Sequence, residues 1–191
     1  KKDGLAHIFN VLRNQLYSNK ILAVIREYSC NAYDAMVEAG TSDQKFIVTC
    51  PTFDDPCFKV RDFGSGLSPE GIAEVYAYYG ESTKRQSNAF IGQLGLGSKS
   101  GFAYGDNFVI RSFYRGTLYT YNAYLDETKI GQILLMNEEA TSENDGVEIV
   151  IPVKVRDIPT FKETIANFFK HFKSKPVINN IEKIYLEVYW K

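Results

Sequence analysis

The sequence predicts an α+β fold in which helices cover one face of a mixed, mainly antiparallel β-sheet. Apolar residues at helical spacing dominate the start of the chain, whereas β-branched and aromatic runs dominate its second half. Strands and helices therefore do not alternate as they do in a doubly wound parallel sheet. The 191 residues, 45% hydrophobic and 24% charged, are enough to bury the core of one domain without disulfides or metal.

Helical periodicity marks the first fifth of the chain. Apolar residues recur at spacings of three and four between residues 4 and 40, with an interruption at Ser18 and Asn19. This pattern predicts two helices, the second of which ends near Gly40 because glycine commonly follows the last helical turn. Two short strands are expected next, at residues 45–49 and 58–62, on either side of a turn that contains two prolines.

A third helix is predicted to start after Ser68, which can cap the first turn, with Pro69 at the first helical position. It should run to about residue 79, and the glycine-rich segment 80–105 that follows is too irregular to assign. Four strands with turn residues between them should then form an antiparallel meander. Those strands are expected at residues 107–114, 117–125, 132–136 and 147–153.

The last part of the chain predicts a long helix and a final strand. Five apolar side chains share one helical face: Phe161, Ile165, Phe168, Phe169 and Phe172. Residues 185–190 alternate between apolar and polar like a strand.

Charge, cysteines and histidines exclude several classes of protein. The formal net charge of −1 gives no sign of a nucleic-acid or membrane partner, and no apolar run is long enough to span a bilayer. Cys30, Cys50 and Cys57 form neither a disulfide framework nor a zinc-binding pair, which favours a reducing, cytoplasmic location. His7 and His171 lack further ligands at metal-binding spacing.

A polar stripe runs along the second predicted helix. Glu27, Asn31, Asp34 and Glu38 follow one another at intervals of four, three and four residues, so they share one face. Such a stripe is most often a solvated surface. An amide oxygen among carboxylates can also ligate a hard cation while a carboxylate one turn away activates water.

An acid and two glycines follow the strand at residues 58–62. In the sequence Asp62-Phe63-Gly64-Ser65-Gly66, Asp and Gly are common turn residues, and a tight turn is one interpretation. The other is a hydrogen-bond acceptor beside a backbone that a flat ring can approach. Asp62-Phe63-Gly64 also matches the metal-binding motif of protein kinases, but the catalytic loop that should precede it is missing.

The glycines between Gly92 and Ser100 could cradle an anion. Two known phosphate loops nevertheless fail on spacing: the Walker loop would need Lys where Ser98 stands, and the dinucleotide fingerprint would need Gly where Ser100 stands. Exposed backbone N–H groups before a helix remain suited to phosphate.

Taken in order, these motifs resemble the nucleotide-binding boxes of the GHKL ATPases, the superfamily of gyrase B, Hsp90, histidine kinases and MutL. The matching boxes are Glu27-x-x-x-Asn31-x-x-Asp34, Asp62-x-Gly64-x-Gly66, Gly80-Glu81-Ser82-Thr83-Lys84 and Gly92-Gln93-Leu94-Gly95-Leu96-Gly97. The third and fourth boxes are more similar to the Hsp90 and MutL branch than to histidine kinases. More narrowly, residues 95–104 and 145–153 resemble the N-terminal part of the RIIA-like lysis-inhibition proteins of T-even-type bacteriophages.

The resemblance implies a Bergerat fold, in which ATP lies between the helices and a lid on the sheet. Glu27 would be the general base for the attacking water, Asn31 would ligate Mg²⁺, and Asp62 would accept the exocyclic amine of adenine. Lys84 and Lys99 would be charge partners of the phosphates. The residues implied to hold the nucleotide are Asn31, Asp34, Asp62, Gly64, Gly66, Lys84, Gly92, Gln93, Leu94, Gly95, Leu96, Gly97, Ser98 and Lys99.

Three departures from the family pattern matter. Gly146 is followed by Val147, where many relatives have a threonine that helps bind adenine through water. Ser98 stands where Hsp90-type loops have an aromatic residue. In gyrase and MutL, a lysine that completes the γ-phosphate site comes from a following domain, which we expect beyond this chain.

We therefore expect an ATP-binding domain of a Mg²⁺-dependent ATPase in which lid closure on ATP is coupled to dimerisation or docking. The missing initiator Met suggests a fragment of a longer protein. Residues 1–175 would form the domain, and residues 176–191 would lead into a downstream region that supplies a partner for the strand expected at residues 185–190. The fragment alone should hydrolyse ATP weakly, whereas the full-length protein should form a nucleotide-dependent homodimer in the cytoplasm, that of the host for a phage protein. One alternative is a nucleotide-binding switch with little or no hydrolysis. Another is a histidine-kinase-type phosphotransferase, disfavoured because His7 and His171 lack a phospho-acceptor context.

Overall fold

The polypeptide forms a two-layer α+β sandwich in a computed structural model that describes residues 19–76, 100–129, 131–172 and 174–189. The helices are α1 (Lys20–Glu38), α2 (Pro69–Tyr76), α3 (Gly101–Tyr104), α4 (Ile158–Phe169) and α5 (Lys183–Tyr189). The strands are β1 (Ile47–Thr49), β2 (Cys57–Arg61), β3 (Asn107–Tyr114), β4 (Thr117–Leu125), β5 (Gly131–Ala140), β6 (Gly146–Pro152) and β7 (Val177–Asn179).

The described strands form one mixed sheet in the order β5-β4-β3-β6-β2-β1-β7. Neighbouring strands are antiparallel except for β1 and β7, which are parallel, so the predicted fold class is confirmed. The predicted meander is correct for β3, β4 and β5. It is wrong for β6, which returns to lie between β3 and β2, because its buried Ile149 and Ile151 belong at the centre of the sheet.

One hydrophobic core joins the sheet to the helices. Phe58 on β2 packs against Phe161 on α4 with ring centroids 5.5 Å apart, and Phe108 on β3 packs against Tyr28 on α1 at 6.1 Å. Phe58, Phe108 and Phe161 are fully buried. Burial of each such ring stabilises the fold by roughly 1.5–3 kcal/mol, so the core holds α1 firmly against the strands.

The predicted boundary signals of α1 and α2 are confirmed, whereas α4 ends at Phe169, so Phe172 lies beyond the helix on which it was predicted. The Asn19 side chain accepts a hydrogen bond from the Leu22 N–H at 3.0 Å and caps α1, and Gly40 follows its end with a φ of +72°. Ser68 Oγ accepts from the Gly71 N–H at 3.1 Å at the start of α2. The helix predicted before Asn19, the last turn predicted for α2 and most of the irregular segment 80–105 lie outside the described residues.

The C-terminal prediction is wrong in type. Residues Lys183–Tyr189 form helix α5 instead of a strand, and the sequence reading missed β7 just before it. Because β7 already pairs with β1, that side of β1 offers no further strand to pair with. The segment instead packs on α4, where Lys162 Nζ lies 2.5 Å from Glu182 Oε1.

Strand β5 is also longer than the five residues predicted. It runs over Gly131–Ala140 and pairs along this length with β4, with a bulge at Thr120 and Tyr121. Residues 134–140 are exposed, so backbone pairing rather than apolar burial keeps this half of the strand extended.

Candidate functional site

Asp62, the first residue after β2, is a buried carboxylate held in one orientation. Its Oδ1 accepts hydrogen bonds from the N–H of Gly64 at 2.9 Å and the N–H of Val147 at 3.1 Å. Among the described residues, no hydrogen bond reaches its second oxygen, Oδ2. Burial raises the pKa of the Asp62 carboxyl, although both N–H donors and the charge of Arg61 lower it. The predicted acceptor at the strand end is therefore present and fixed by backbone.

The glycine loop after Asp62 fits between α1 and β3. A Cβ at Gly64 would lie 3.1 Å from the Ala35 carbonyl oxygen on α1. Gly66 has a φ of +66°, and a Cβ there would overlap the Phe113 carbonyl. Glycine is therefore required at residue 66 both for the left-handed backbone conformation and for the packing against Phe113.

Hydroxyl groups fasten this loop at both ends. Thr41 Oγ1 donates to the Phe63 carbonyl at 2.8 Å, which ties the loop to the end of α1. The fully buried Ser112 Oγ on β3 both accepts from the Leu67 N–H and donates to the Leu67 carbonyl, each at 2.8 Å. The loop is thus part of the rigid domain rather than a free turn.

The helix that carries the polar stripe, α1, packs against this loop. Asn31 and Asp34 are exposed, and Asp34 precedes the residue that Gly64 contacts. Glu27 lies two turns earlier, about 12 Å along the helix axis from that contact. Its side chain is 18% exposed, and Oε1 accepts from Arg26 Nε at 3.2 Å and Arg26 Nη2 at 3.0 Å. The structure therefore places the glycine loop after Asp62 against α1 at Ala35, the residue after Asp34, while Glu27 lies two turns away.

Helix α3 directly follows the predicted phosphate loop in sequence and contacts α1 near Glu27, at the far end of the stripe. The Tyr28 hydroxyl, one residue after Glu27, accepts from the Gly101 N–H at 3.0 Å. At the other end of α3, the Tyr104 hydroxyl donates to Asp157 Oδ2 at 2.7 Å and accepts from the Lys154 N–H at 3.0 Å. The end of the glycine-rich segment therefore lies directly beside α1.

The remaining predicted residues fall outside the described ranges. These are Lys84, Gly92, Gln93, Leu94, Gly95, Leu96, Gly97, Ser98 and Lys99. Their roles stay predictions.

The metal prediction rests on Asn31 alone among the described side chains. Within them, no three His, Cys, Asp or Glu residues are grouped closely enough to hold a metal ion. The exposed amide of Asn31 still suits Mg²⁺, which usually takes one or two protein oxygens and fills its other positions with substrate phosphates and water. The donor set fits a cation that arrives with a nucleotide rather than a resident metal.

Sequence reasoning missed two contributors to the site. The Val147 N–H binds Asp62 Oδ1, so this position contributes its backbone although it lacks the threonine hydroxyl of many relatives. Arg61 donates through its guanidinium to the carbonyl of Asp62. Only the position of Arg61 directly before Asp62 could have drawn attention to it.

Comparison with known proteins adds one relative. The Chaperone protein HtpG of Rickettsia typhi (strain ATCC VR-144 / Wilmington) is 26% identical over an alignment of 196 positions, which covers 91% of this chain and 30% of HtpG. This similarity indicates the GHKL ATPase superfamily. It supports a GHKL-type ATP-binding domain, in agreement with the motifs and the fold. The chain spans less than a third of that relative's length, and no family model matches it.

No helix among the described residues is both long and apolar enough to cross a membrane.

Proposed function

We propose that this domain binds ATP and ADP with Mg²⁺ and serves as the nucleotide-binding part of a GHKL-type ATPase. The observation that carries the proposal is the buried Asp62 carboxylate, whose Oδ1 is used by two backbone donors while Oδ2 receives no hydrogen bond from the described residues. An ionised acceptor at that place can bind the exocyclic amine of adenine, whereas guanine would present a carbonyl to it.

The phosphates would then lie toward the other end of α1. Asn31 is exposed one turn beyond Glu27, and Gly101, near the end of the glycine-rich segment, lies beside Tyr28. We assign Asn31 to Mg²⁺, Asp34 and the Gly64 and Gly66 backbone to the nucleotide, and Glu27 to the attacking water. When bound with the nucleotide, Mg²⁺ would neutralise phosphate charge.

The phosphate side of the proposal rests on motifs. Lys84 and the run from Gly92 to Lys99 would supply charge and backbone N–H groups, and lid closure over ATP would be coupled to dimerisation or docking. The likeness of residues 95–104 and 145–153 to RIIA-like phage proteins is part of the same proposal.

A nucleotide switch without hydrolysis is the second candidate, and the ion pair at Glu27 favours it. One oxygen of this carboxylate accepts two hydrogen bonds from Arg26, which leaves less of it available to a water molecule. Binding and hydrolysis are therefore separate tests.

Calorimetric titration of the domain with ADP, ATP and GTP, with and without Mg²⁺, tests the first proposal. We expect the adenine nucleotides to bind and GTP to bind far more weakly. Equal binding of ATP and GTP would contradict the assignment of Asp62, and no binding would overturn the function. Phosphate release by the full-length protein then distinguishes an ATPase from a switch.

A further inference from the structure

The side chain of Arg61 is buried between two aromatic rings at the end of β2. It is 7% exposed, and the guanidinium carbon lies 4.0 Å from the Phe113 ring centroid and 4.8 Å from that of Phe63. Its Nη1 donates to the Asp62 carbonyl and its Nη2 to the Asn144 carbonyl at 2.5 Å. One side chain thus connects the end of β2, the loop before β6 and strand β3.

Arg61 makes these contacts without an ion pair among the described residues. The charges of Asp62, Glu148 and Glu143 favour the charged form of Arg61, although Glu148 itself is paired with Arg111 at 2.7 Å. Burial lowers the pKa of the Arg61 guanidinium, which shows that its charged form is poorly solvated there. Since these acids act from beyond ion-pair distance, a direct ion pair does not explain the position of Arg61. The two carbonyls and the two rings define its position.

The geometry of the β6 start depends on this side chain. Gly146 has a φ of +138°, and a Cβ there would overlap both the Asp62 carbonyl and the Arg61 guanidinium. The next residue is Val147, whose N–H is one of the two donors to Asp62 Oδ1. Arg61 therefore packs against the residue that precedes a donor to the carboxylate, and Val147 is also paired with Asp62 through its carbonyl, which accepts from the Asp62 N–H at 2.9 Å.

We propose that Arg61 is a positioning residue that clamps the Asn144–Val147 turn to the Asp62 backbone and so fixes which carboxylate oxygen faces the nucleobase. This role rests on the proposed nucleotide-binding function. It predicts that Arg61 sets the selectivity for adenine rather than merely the stability of the fold.

The chain offers a matched control for this idea. Arg111, on strand β3 on the other side of β6, also lies near the Phe113 ring, at 5.4 Å, and also hydrogen bonds to a sheet neighbour. It makes no contact with Asp62 or Asn144 among its described hydrogen bonds. Arg61→Met and Arg61→Lys are therefore compared with Arg111→Met and Arg111→Lys.

The first measurement needs no nucleotide. Amide hydrogen exchange is followed at Gly64 and Val147, the two donors to Asp62 Oδ1. We expect Arg61→Met to accelerate exchange at Val147 by about tenfold, in line with the loss of a charge-assisted hydrogen bond, and the Arg111 variants to leave it unchanged. Arg61→Lys retains the charge and should recover part of the protection. It also keeps the test valid if Arg61→Met fails to fold.

The second measurement compares the dissociation constants of ADP and inosine diphosphate, which carries a carbonyl in place of the adenine amine. A purely structural role would weaken both ligands equally, whereas loss of positioning should narrow their ratio by about fivefold or more. The Arg111 variants should preserve the ratio.

Each outcome has a defined meaning. Faster exchange together with a narrowed ratio, both specific to Arg61, supports the proposal. Unchanged exchange at Val147, or an unchanged ratio in a protein that binds ADP, overturns it. If the unsubstituted domain binds neither ligand, the nucleotide function fails, while Arg61-specific exchange still establishes the clamp on Asp62.

Discussion

Replacing Asp62 with asparagine tests the nucleobase assignment directly. The amide oxygen of the asparagine has to take the place of Oδ1, because the N–H groups of Gly64 and Val147 both donate there, at 2.9 Å and 3.1 Å. If the amide were flipped, its NH₂ group would face the N–H groups of Gly64 and Val147, and no acceptor would lie between them. The NH₂ group is therefore forced into the position of Oδ2, where the bound base is expected.

The size of the effect follows from this geometry. Adenine would lose a charge-assisted hydrogen bond and face a donor, and such a loss costs roughly 1.5–3 kcal/mol. At about 1.4 kcal/mol per tenfold change, the dissociation constant of ADP should rise by about 10- to 150-fold. Inosine diphosphate should instead bind about two- to tenfold more tightly, because its carbonyl meets a donor in Asp62→Asn.

Competition of ADP and inosine diphosphate against a fluorescent ADP analogue measures both changes. Asp55→Asn is the matched control, since Asp55 lies in the β1–β2 connection and pairs with Lys59 at 2.7 Å. It should leave both affinities unchanged. If Asp62→Asn keeps the selectivity for ADP, the base is not read by Asp62 and the reasoning above is refuted.

Three further predictions concern the general base, the glycine loop and pH. Glu27→Ala should leave ATP affinity nearly unchanged and slow phosphate release by the full-length protein by about 10²- to 10⁴-fold, because a general base acts on the water; a large loss of affinity would assign Glu27 another role. Gly66→Ala and Gly40→Ala should each lower the free energy of unfolding by roughly 1 kcal/mol, because both glycines have a left-handed conformation. Gly66→Ala should lower it by about 2 kcal/mol more, because only there would a Cβ overlap the Phe113 carbonyl. Urea unfolding measures both losses, and equal losses would contradict the packing. The affinity for ADP should fall as the pH drops through the raised pKa of Asp62, because the protonated oxygen becomes a donor. The affinity for inosine diphosphate should fall less steeply. Parallel pH curves for the two ligands in the same competition assay would contradict this role of Asp62.

The parts of the fold that the sequence predicted are those with strong local signals. Asn19 and Gly40 delimit α1, and the cap and proline at the start of α2 act within one turn. The turn between β3 and β4 is equally local, with positive φ at Arg115 and Gly116. Such features depend on neighbours in sequence, so a single chain reveals them.

The wrong predictions concern features that depend on contacts between segments distant in sequence. Residues 185–190 alternate over too short a length to separate a strand from a helix, and β7 had already joined β1. The placement of β6 between β3 and β2 depends on long-range pairing that no local pattern encodes. Arg61 was missed for the same reason, because the Asn144 carbonyl lies 83 residues away.

The candidate site shows which residues the fold itself needs and which it does not. Gly66 and Gly146 are required by backbone packing against Phe113 and Asp62 whether or not a ligand binds. The charge of Asp62 is different, because an asparagine could accept the same two N–H bonds, and burial makes the carboxylate unfavourable.

A raised folded-state pKa means that the Asp62 carboxyl stabilises the fold most when protonated, at low pH, and that this stabilisation is lost as the pH rises through that pKa. Asp62→Asn should accordingly raise the melting temperature of the nucleotide-free domain at pH 7, and the gain should shrink toward pH 4. A buried charge of this kind agrees with the proposed role of Asp62 as an acceptor for a ligand. Thermal melts from pH 4 to 8 that show Asp62→Asn destabilised at pH 7 would assign the charge to folding instead.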